Sequence, residues 1–345
     1  MTAVLKPSLQ RDCLIALLVF ALLAALPIVW PSRGMSHFII RLAAFGIFAT
    51  SLNMLVGYAG LESFGHGLFF GLGAYSFALT MQKLGTSIPV AFLLTLLISV
   101  LVAVVVGAIC VRLKEIYFAF LTLAFQMLVH SLIIAWTPLT GGDQGLTGGV
   151  PRPPFLGIRL DQPYHLYLFC AALLVVCLLL MRHIVQSPFG YTLRLIRDNP
   201  ARATFLGINV WRMRLAAFVI AGAFGSIGGI VMSLFVSGAF PDFAYWTISG
   251  EAIFMIMLGG TSLFLGPLAG AVMLLMLNDI VTKHTEHYGL VLGLIILLFA
   301  LGLRKGFVDY LAEIWQRRKT AQDAAPAPSE RPAATPLKVL GEQRG

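Results

Sequence analysis

The stretch Ile88–Val111, IPVAFLLTLLISVLVAVVVGAICV, decides the fold, because its 24 residues include no charged side chain. A helix needs about 20 mostly apolar residues to cross the hydrocarbon core of a membrane. Further apolar runs lie near 14–30, 37–56, 66–82, 116–136, 164–181, 215–236 and 288–303. The sequence therefore predicts an all-α integral membrane protein.

The composition of the whole chain agrees with this prediction. Of its 345 residues, 59% are hydrophobic and only 11% are charged, whereas about a quarter of the residues of a soluble domain are charged. This argues against a soluble enzyme, a nucleic-acid-binding protein, a disordered protein and a disulfide scaffold. The cysteines form no C-x-x-C pair and are interpreted as small buried apolar residues; they are Cys13, Cys110, Cys170 and Cys177.

The apolar stretch 250–282 differs from the others, because Gly259-Gly260 and Gly266-Pro267 interrupt it. It predicts two short helices in a hairpin, or one broken helix that re-enters the membrane. If it counts as two crossings, the chain has about ten transmembrane segments. Eighteen of the 24 Lys and Arg residues then lie on one side and five on the other, with Arg41 inside a helix. Basic residues favour the cytoplasmic side, so both termini are predicted there, with the first helix uncleaved.

The ends of the apolar runs divide the chain into three predicted parts. Residues 1–13 form a cytoplasmic N-terminus, 14–305 a transmembrane domain and 306–345 a cytoplasmic tail that is disordered from about 320. Within the transmembrane domain, 137–163 is an outer loop and 182–214 is the longest internal cytoplasmic loop.

The sequence lacks the residues that energy coupling and catalysis require. A phosphate-binding loop ends in Gly-Lys-Ser/Thr, and none of the seven lysines follows a glycine. No cofactor is therefore expected in this chain, and any ATP must be bound by another subunit. His66, His130 and His183 lie on different segments and predict no metal site. We predict that the chain is not an enzyme.

The loop 182–214 carries a helix-start signal, with Asn199 as the cap and Pro200 at the first position. Residues 201–206 can form a short helix that Gly207 ends. The alternative is a loop facing lipid, whose arginines follow only from the preference of basic residues for the cytoplasmic side.

Four stretches of the chain follow the order of a known family. They are Gly57–Tyr75 (GYAGLESFGHGLFFGLGAY); Tyr117–Phe125 (YFAFLTLAF) with Leu139–Leu146 (LTGGDQGL); Ser187–Gly190 (SPFG) with Arg197–Ala203 (RDNPARA) and Leu206–Asn209 (LGIN); and Leu258–Gly260 (LGG) with Leu265–Ala271 (LGPLAGA). In these the chain resembles the M-type permease subunit of the branched-chain amino acid (Liv) ABC importer family. It departs at Glu62, where the family usually has a smaller or apolar residue, and in the tail.

The resemblance implies a permease bundle in the bacterial inner (plasma) membrane that works by alternating access. The implied partners are a second homologous permease subunit, two ATPase subunits that bind ATP, and an extracytoplasmic substrate-binding protein. The implied substrate is a branched-chain amino acid, with urea, amides and other small acids left open. The resemblance also implies that the short helix couples to the ATPase, through Arg197, Asp198, Asn199, Pro200, Ala203, Gly207 and Ile208.

Two polar, glycine-rich places are candidates for the translocation pathway. In the segment 57–66 the candidate residues are Glu62, Ser63 and His66. The alternative is that this segment is only a tight turn. In the hairpin they are Gly259, Gly260, Gly266 and Pro267, where the start of a half-helix could favour a substrate carboxylate and an ordinary connecting turn is the alternative. Glycines four residues apart predict close helix packing, at Gly67, Gly71, Gly225, Gly229, Gly289 and Gly293.

Two other classes of function predict different residues within the membrane. An ion-coupled secondary transporter or channel for a small polar solute predicts an ion relay at the centre of the membrane. A membrane-embedded enzyme predicts convergent His, Asp or Cys residues at that depth. No helix centre carries a clear carboxylate, so the importer subunit is the preferred interpretation.

Overall fold

The computed structural model describes residues 9–29, 32–113, 115–152, 160–284, 287–302, 306 and 309–310. Within these ranges the fold is helical, and Leu146 and Ala239 form an isolated β-bridge without a strand. The predicted all-α fold is confirmed. The predicted segment 1–13 is described only from residue 9, and the predicted disordered tail lies outside the described residues.

Each predicted apolar run is a helix in the structure. The helices are α1 Leu9–Val29, α2 Arg33–Asn53, α3 Gly67–Leu84, α4 Ile88–Cys110, α5 Glu115–Ala135, α6 Thr137–Thr140, α7 Pro163–Gln186, α8 Pro188–Asp198, α9 Pro200–Phe205, α10 Val210–Val236, α11 Trp246–Gly259, α12 Gly266–His284 and α13 Tyr288–Gly302. A π-helix, Met54–Ala59, continues α2, and short 3₁₀ helices occupy Gly142–Gln144 and Pro241–Ala244.

Among the described residues, five helical spans are long and apolar enough to cross a membrane. They are Arg33–Ala59, Ile88–Cys110, Ile116–Ala135, Pro163–Gln186 and Val210–Val236. The predicted total of about ten stays a prediction. The first helix of the hairpin, α11, has 14 residues and so rises about 21 Å, which is less than the ~30 Å hydrocarbon core.

Three helices, α2, α3 and α10, form the centre of the bundle, and twelve of the 18 residues of α3 are buried. In an apolar window of 18 residues, 83% are buried in the span that contains α2 and 61% in α10, against 28% in α4 and in α5. Small residues let α2 and α10 approach their neighbours closely; the buried ones include Ala43, Ala44 and Gly225. The peripheral helices instead expose large apolar side chains such as Leu93 and Leu101, as a surface facing lipid requires.

The loops sort into two ends of the bundle. At one end, Gln82 Nε2 donates to Gly149 O at 2.9 Å and Val150 N donates to Ser237 Oγ at 3.1 Å. At the other end, Arg197 bonds Gly57 O, and Ser262 N donates to an Asp309 carboxylate oxygen at 3.1 Å. The segments that the sequence assigns to one side of the membrane thus lie together at one end.

The predicted hairpin is present as α11 and α12, which pack directly on each other. A methyl group at Gly259 would overlap the carbonyl group of Gly266, and one at Gly270 would overlap that of Met255. The absence of side chains at these positions therefore allows the two backbones to touch. An ion pair of 2.8 Å between Arg41 of α2 and Asp279 of α12 joins the hairpin to the bundle centre.

The other glycines for which packing was predicted differ in their surroundings. Gly225 and Gly229 of α10 face α3, where a methyl group at Gly229 would overlap Phe70 O. On α3, Gly71 lies against the backbone of Ala244, and Gly67 lies against Gln126. Gly289 and Gly293 on α13 meet no atom within 4 Å in the described part of the chain. For this last pair, close helix packing stays a prediction.

Candidate functional site

The main irregular feature of the bundle is the break between α2 and α3, which comprises the π-helix Met54–Ala59 and the non-helical residues 60–66. The π-helix ends at Ala59, and the following Gly60 has a φ of 66°, the left-handed conformation that glycine adopts without strain. Leu61 N turns back to donate to Leu55 O at 2.9 Å, and the chain is then non-helical until α3 begins at Gly67. Non-helical backbone at membrane depth is tolerated where it is buried in protein or lines a cavity.

Beside this break lies a cavity of about 300 Å³. One wall comes from the break and the other from α11 and the turn after it, and the lining residues are Val56, Glu62, Ser63, Phe64, Ile253, Ile256, Met257 and Thr261. Two of the predicted pathway residues, Glu62 and Ser63, are among them. Ser63 is 1% exposed, and its hydroxyl has no hydrogen-bond partner among the described residues.

The third predicted residue of this segment, His66, lies elsewhere. It is fully buried, shares a 2.8 Å hydrogen bond between its Nε2 and Ser51 Oγ, and stacks on the ring of Phe48 at 5.2 Å. It does not line the cavity. His66 packs α3 against α2 and α10, because its ring fills the space left beside Gly225.

A buried polar network that the sequence analysis missed holds the start of α3. Gly67 N donates to Ser249 Oγ at 2.7 Å, and Ser249 Oγ donates to Gln126 Oε1 at 2.7 Å. Gln126 Nε2 in turn donates to Tyr245 O at 2.8 Å. An orphan N–H at a helix start needs such a partner away from water. The signal in the sequence was Gln126, a polar residue in the middle of the apolar run 116–136.

The short helix predicted in the loop 182–214 is present as α9. Asn199 Oδ1 accepts from Arg202 N at 2.9 Å, which is the predicted cap. Gly207 has a φ of 82°, and Ile208 N donates to Ala203 O at 3.1 Å to close the helix. At the C-terminal end of the helix, Phe205 is 92% exposed and Leu206 66% exposed. Two large apolar side chains exposed together at a bundle end indicate a contact surface.

A second helix in this loop, α8, was not predicted. It buries Leu193 and Ile196 on one face and carries arginines on another. The Arg194 guanidinium lies over the ring of Tyr58 at 5.4 Å, which is within the range of a cation–π contact.

The predicted coupling residue Arg197 turns toward its own chain. It bonds Gly57 O, and its Nε and Nη2 each donate to Asp198 Oδ1 at 3.1 Å. A methyl group at Gly60 would lie 2.8 Å from Arg197 Cγ, so the arginine stem rests on the break. Arg197 therefore joins α8 to the break, while its side chain remains 41% exposed and that of Asp198 66% exposed.

The hairpin residues proposed for the pathway lie in a closed turn. Gly259, Gly260, Gly266 and Pro267 are all buried, and none of them lines the cavity. Asp309 Oδ2 accepts from Ser262 N at 3.1 Å, next to Gly260. The carboxylate described at this turn is thus the chain's own, and a role of the four residues in the pathway stays a prediction.

A larger cavity of about 1030 Å³ lies at the opposite end of the bundle. Arg33, His37 and Arg152 are among its lining residues. Burial lowers the pKa of the Arg152 guanidinium, and the nearby Asp161 carboxylate raises it. No group of three His, Cys, Asp or Glu side chains that could hold a metal occurs in the described ranges.

The chain is similar to permease proteins of known transport systems. The family model described as "Branched-chain amino acid transport system / permease component" matches residues 34–301. The permease protein LivM of the high-affinity branched-chain amino acid transport system of Salmonella typhimurium is 26% identical over 87% of this chain and 75% of its own length. LivM of Escherichia coli K12 gives the same identity and coverage. The guanosine ABC transporter permease protein NupQ of Bacillus subtilis is 32% identical over 30% of the chain and 31% of its own. No solved structure matches the chain.

Proposed function

Because the chain belongs to the family of branched-chain amino acid transport system permease components, we propose that it imports branched-chain amino acids by alternating access. It is a multi-pass protein of the bacterial inner membrane, like the ABC permeases to which it is similar. We propose a branched-chain amino acid as the substrate, and not a nucleoside, because the match to the permease for guanosine covers only 30% of the chain.

One observation carries the coupling to ATP hydrolysis. The capped helix α9 exposes Phe205 and Leu206 at a bundle end, while α8 beside it is bonded to the break. We propose that a partner ATPase covers the two exposed side chains, which apolar burial would stabilise. ATP would be bound by two such subunits and not by this chain.

The contacts inside the chain support a route for the motion. A movement of α9 displaces α8, and Arg197 transfers that displacement to the carbonyl group of Gly57. The break then moves relative to the hairpin, since Gly57 also lies beside the carbonyl oxygen of Thr261. Packed elements of this kind shift between discrete arrangements, which is what alternating access requires.

The remaining partners are also part of the proposal. A second homologous permease subunit would complete the translocation pathway, and an extracytoplasmic binding protein would dock on the loop 137–163. Both termini would then be cytoplasmic. The loop grouping at two bundle ends and the distribution of basic residues support this orientation.

The transport proposal is tested by ATP-driven leucine uptake in vesicles that contain the chain co-expressed with its ATPase, second permease and binding protein.

The docking proposal is tested by co-purification of the ATPase with the chain. Leu206→Asp should abolish this co-purification, because a charge replaces an apolar contact. Leu84→Asp is the matched control, since Leu84 is 67% exposed, like Leu206 at 66%, but lies at the opposite bundle end. Normal ATPase binding by Leu206→Asp would contradict the docking proposal.

An ion-coupled secondary transporter or channel is the second candidate. The observation that favours it is the ion pair Arg41–Asp279, because charged side chains within membrane helices often mark ion pathways. This candidate predicts leucine uptake by the purified chain alone, without ATP and with an imposed ion gradient. Uptake only in the presence of the ATPase subunits and ATP would exclude it.

A further inference from the structure

We infer that the cavity beside the break is the binding site for one aliphatic amino acid on its way through this subunit. The inference rests on the proposed function and goes beyond it, because it assigns the substrate to a place. The site is formed where the polar residues Glu62 and Ser63 of the break face the apolar side of α11.

The apolar wall matches a branched aliphatic side chain. It is formed by Ile253, Ile256 and Met257 of α11, with Val56 of the π-helix opposite. Ile256 is 2% exposed, so it is fixed by packing on its other side. Ligand pockets are mostly apolar with a few placed polar groups, and this wall has no polar side chain.

The polar end matches the backbone groups of an amino acid. Glu62 is the charged residue among the lining residues, and no Lys or Arg accompanies it in the described structure. A carboxylate of this kind attracts an ammonium group. The hydroxyl groups of Ser63 and Thr261 can donate to a carboxylate. The Ser63 hydroxyl has no partner in the described part of the chain, and a buried hydroxyl is stabilised when it gains one.

The size of the cavity limits the ligand. At about 300 Å³ it lies at the lower end of the ~300–1,000 Å³ that ligand pockets occupy. The volume holds a branched aliphatic amino acid, and the apolar wall offers no hydrogen-bond partner to the hydroxyl groups of a ribose. We therefore expect guanosine to leave leucine uptake unchanged.

The position of the cavity explains how its affinity can change during transport. Its two walls meet where Gly57 lies beside Thr261, and Arg197 bonds the same Gly57. A displacement of α8 thus moves one wall of the site against the other. If the substrate binds the two arrangements of the walls with different affinity, this movement changes how tightly the cavity holds it.

The first test enlarges the cavity by shortening a side chain of its apolar wall, in the complete reconstituted transporter. Initial rates of ATP-driven uptake of leucine and of valine are measured for wild type and Ile256→Ala. Because leucine is the larger side chain, we expect the ratio of KM for valine to KM for leucine to rise at least fivefold. The binding protein is the same in every sample, so a change in this ratio comes from the permease.

Ile248→Ala is the matched control. Ile248 lies on the same helix and is 8% exposed, but it does not line the cavity. It should change the ratio less than twofold. An unchanged ratio in Ile256→Ala would overturn the assignment.

A second pair of variants covers the case in which Ile256→Ala does not fold. Ser63→Ala removes one hydroxyl and should raise the KM for leucine five- to tenfold with kcat within twofold. Ser99→Ala is its control, because Ser99 is also fully buried with an unpartnered hydroxyl in the described structure, but lies on α4. Equal behaviour of the two variants would reject the site. The absence of ATP-driven uptake of either amino acid by wild type would instead reject the proposed function.

Discussion

The contact between Arg197 and the break allows the coupling route to be tested separately from ATPase docking. The perturbation is Arg197→Ala, which removes the hydrogen bond to Gly57 O and the packing of the arginine stem on Gly60. It leaves Phe205 and Leu206, the proposed docking surface, unchanged. Docking and coupling should therefore respond differently.

The size of the effect follows from the contact. A hydrogen bond from a charged donor contributes about 1.5–3 kcal/mol, and the Arg197 side chain is 41% exposed, so the lower end applies. A contact shifts a conformational equilibrium only by its differential free energy. About 1.4 kcal/mol corresponds to a factor of ten. We therefore expect about tenfold less leucine imported per ATP hydrolysed.

The assay measures leucine uptake and phosphate release in the same vesicles. ATPase co-purification and ATP hydrolysis should stay near wild type while uptake falls. Arg212→Ala is the matched control, because Arg212 is an exposed arginine of the same loop whose side chain has no described contact with the break. A coupling ratio equal to wild type in Arg197→Ala would refute the proposed route, and loss of the ATPase would show that Arg197 serves docking instead.

Two further predictions concern packing and the buried network. Gly229→Ala should lower the unfolding temperature in detergent, because its methyl group overlaps Phe70 O and overpacking costs about 1–3 kcal/mol. Gly289→Ala is the control, because its methyl group meets no described atom within 4 Å, and it should leave the unfolding temperature equal or higher. Equal losses in the two variants would contradict the packing at Gly229. Gln126→Leu should destabilise the chain by about 1 kcal/mol, since polar contacts between membrane helices average about 0.6 kcal/mol each, and combining it with Ser249→Ala should cost less than the sum; additive losses in thermal unfolding would contradict the network.

The helices of the bundle could be predicted because lipid leaves few alternatives. An apolar run such as Ile88–Val111 must satisfy its own backbone hydrogen bonds, so length and hydropathy are sufficient to place a helix. The cap at Asn199 was also predictable, because a cap is a local interaction. The helix α8 was missed, since its buried residues Leu193 and Ile196 stand among arginines in a segment taken as one loop.

Of the two walls of the candidate site, only the polar one could be predicted from the sequence. Glu62 and Ser63 stand out as polar residues in a glycine-rich segment, whereas Ile253 and Ile256 look like any other residues of an apolar helix. Which apolar residues face a cavity depends on how the hairpin packs, and that packing is not encoded locally. The same reason explains His66, whose polar ring is used in packing because Gly225 leaves room for it.

The carboxylate at the hairpin turn bears on the order in which the protein is assembled. Ser262 and Asp309 are separated by 47 positions along the chain, and all of α12 and α13 lies between them. The turn therefore leaves the ribosome well before the residue that caps it. Its hydrogen bond to Asp309 can form only after α13 has been synthesised, so the turn receives this bond late in membrane-protein biogenesis.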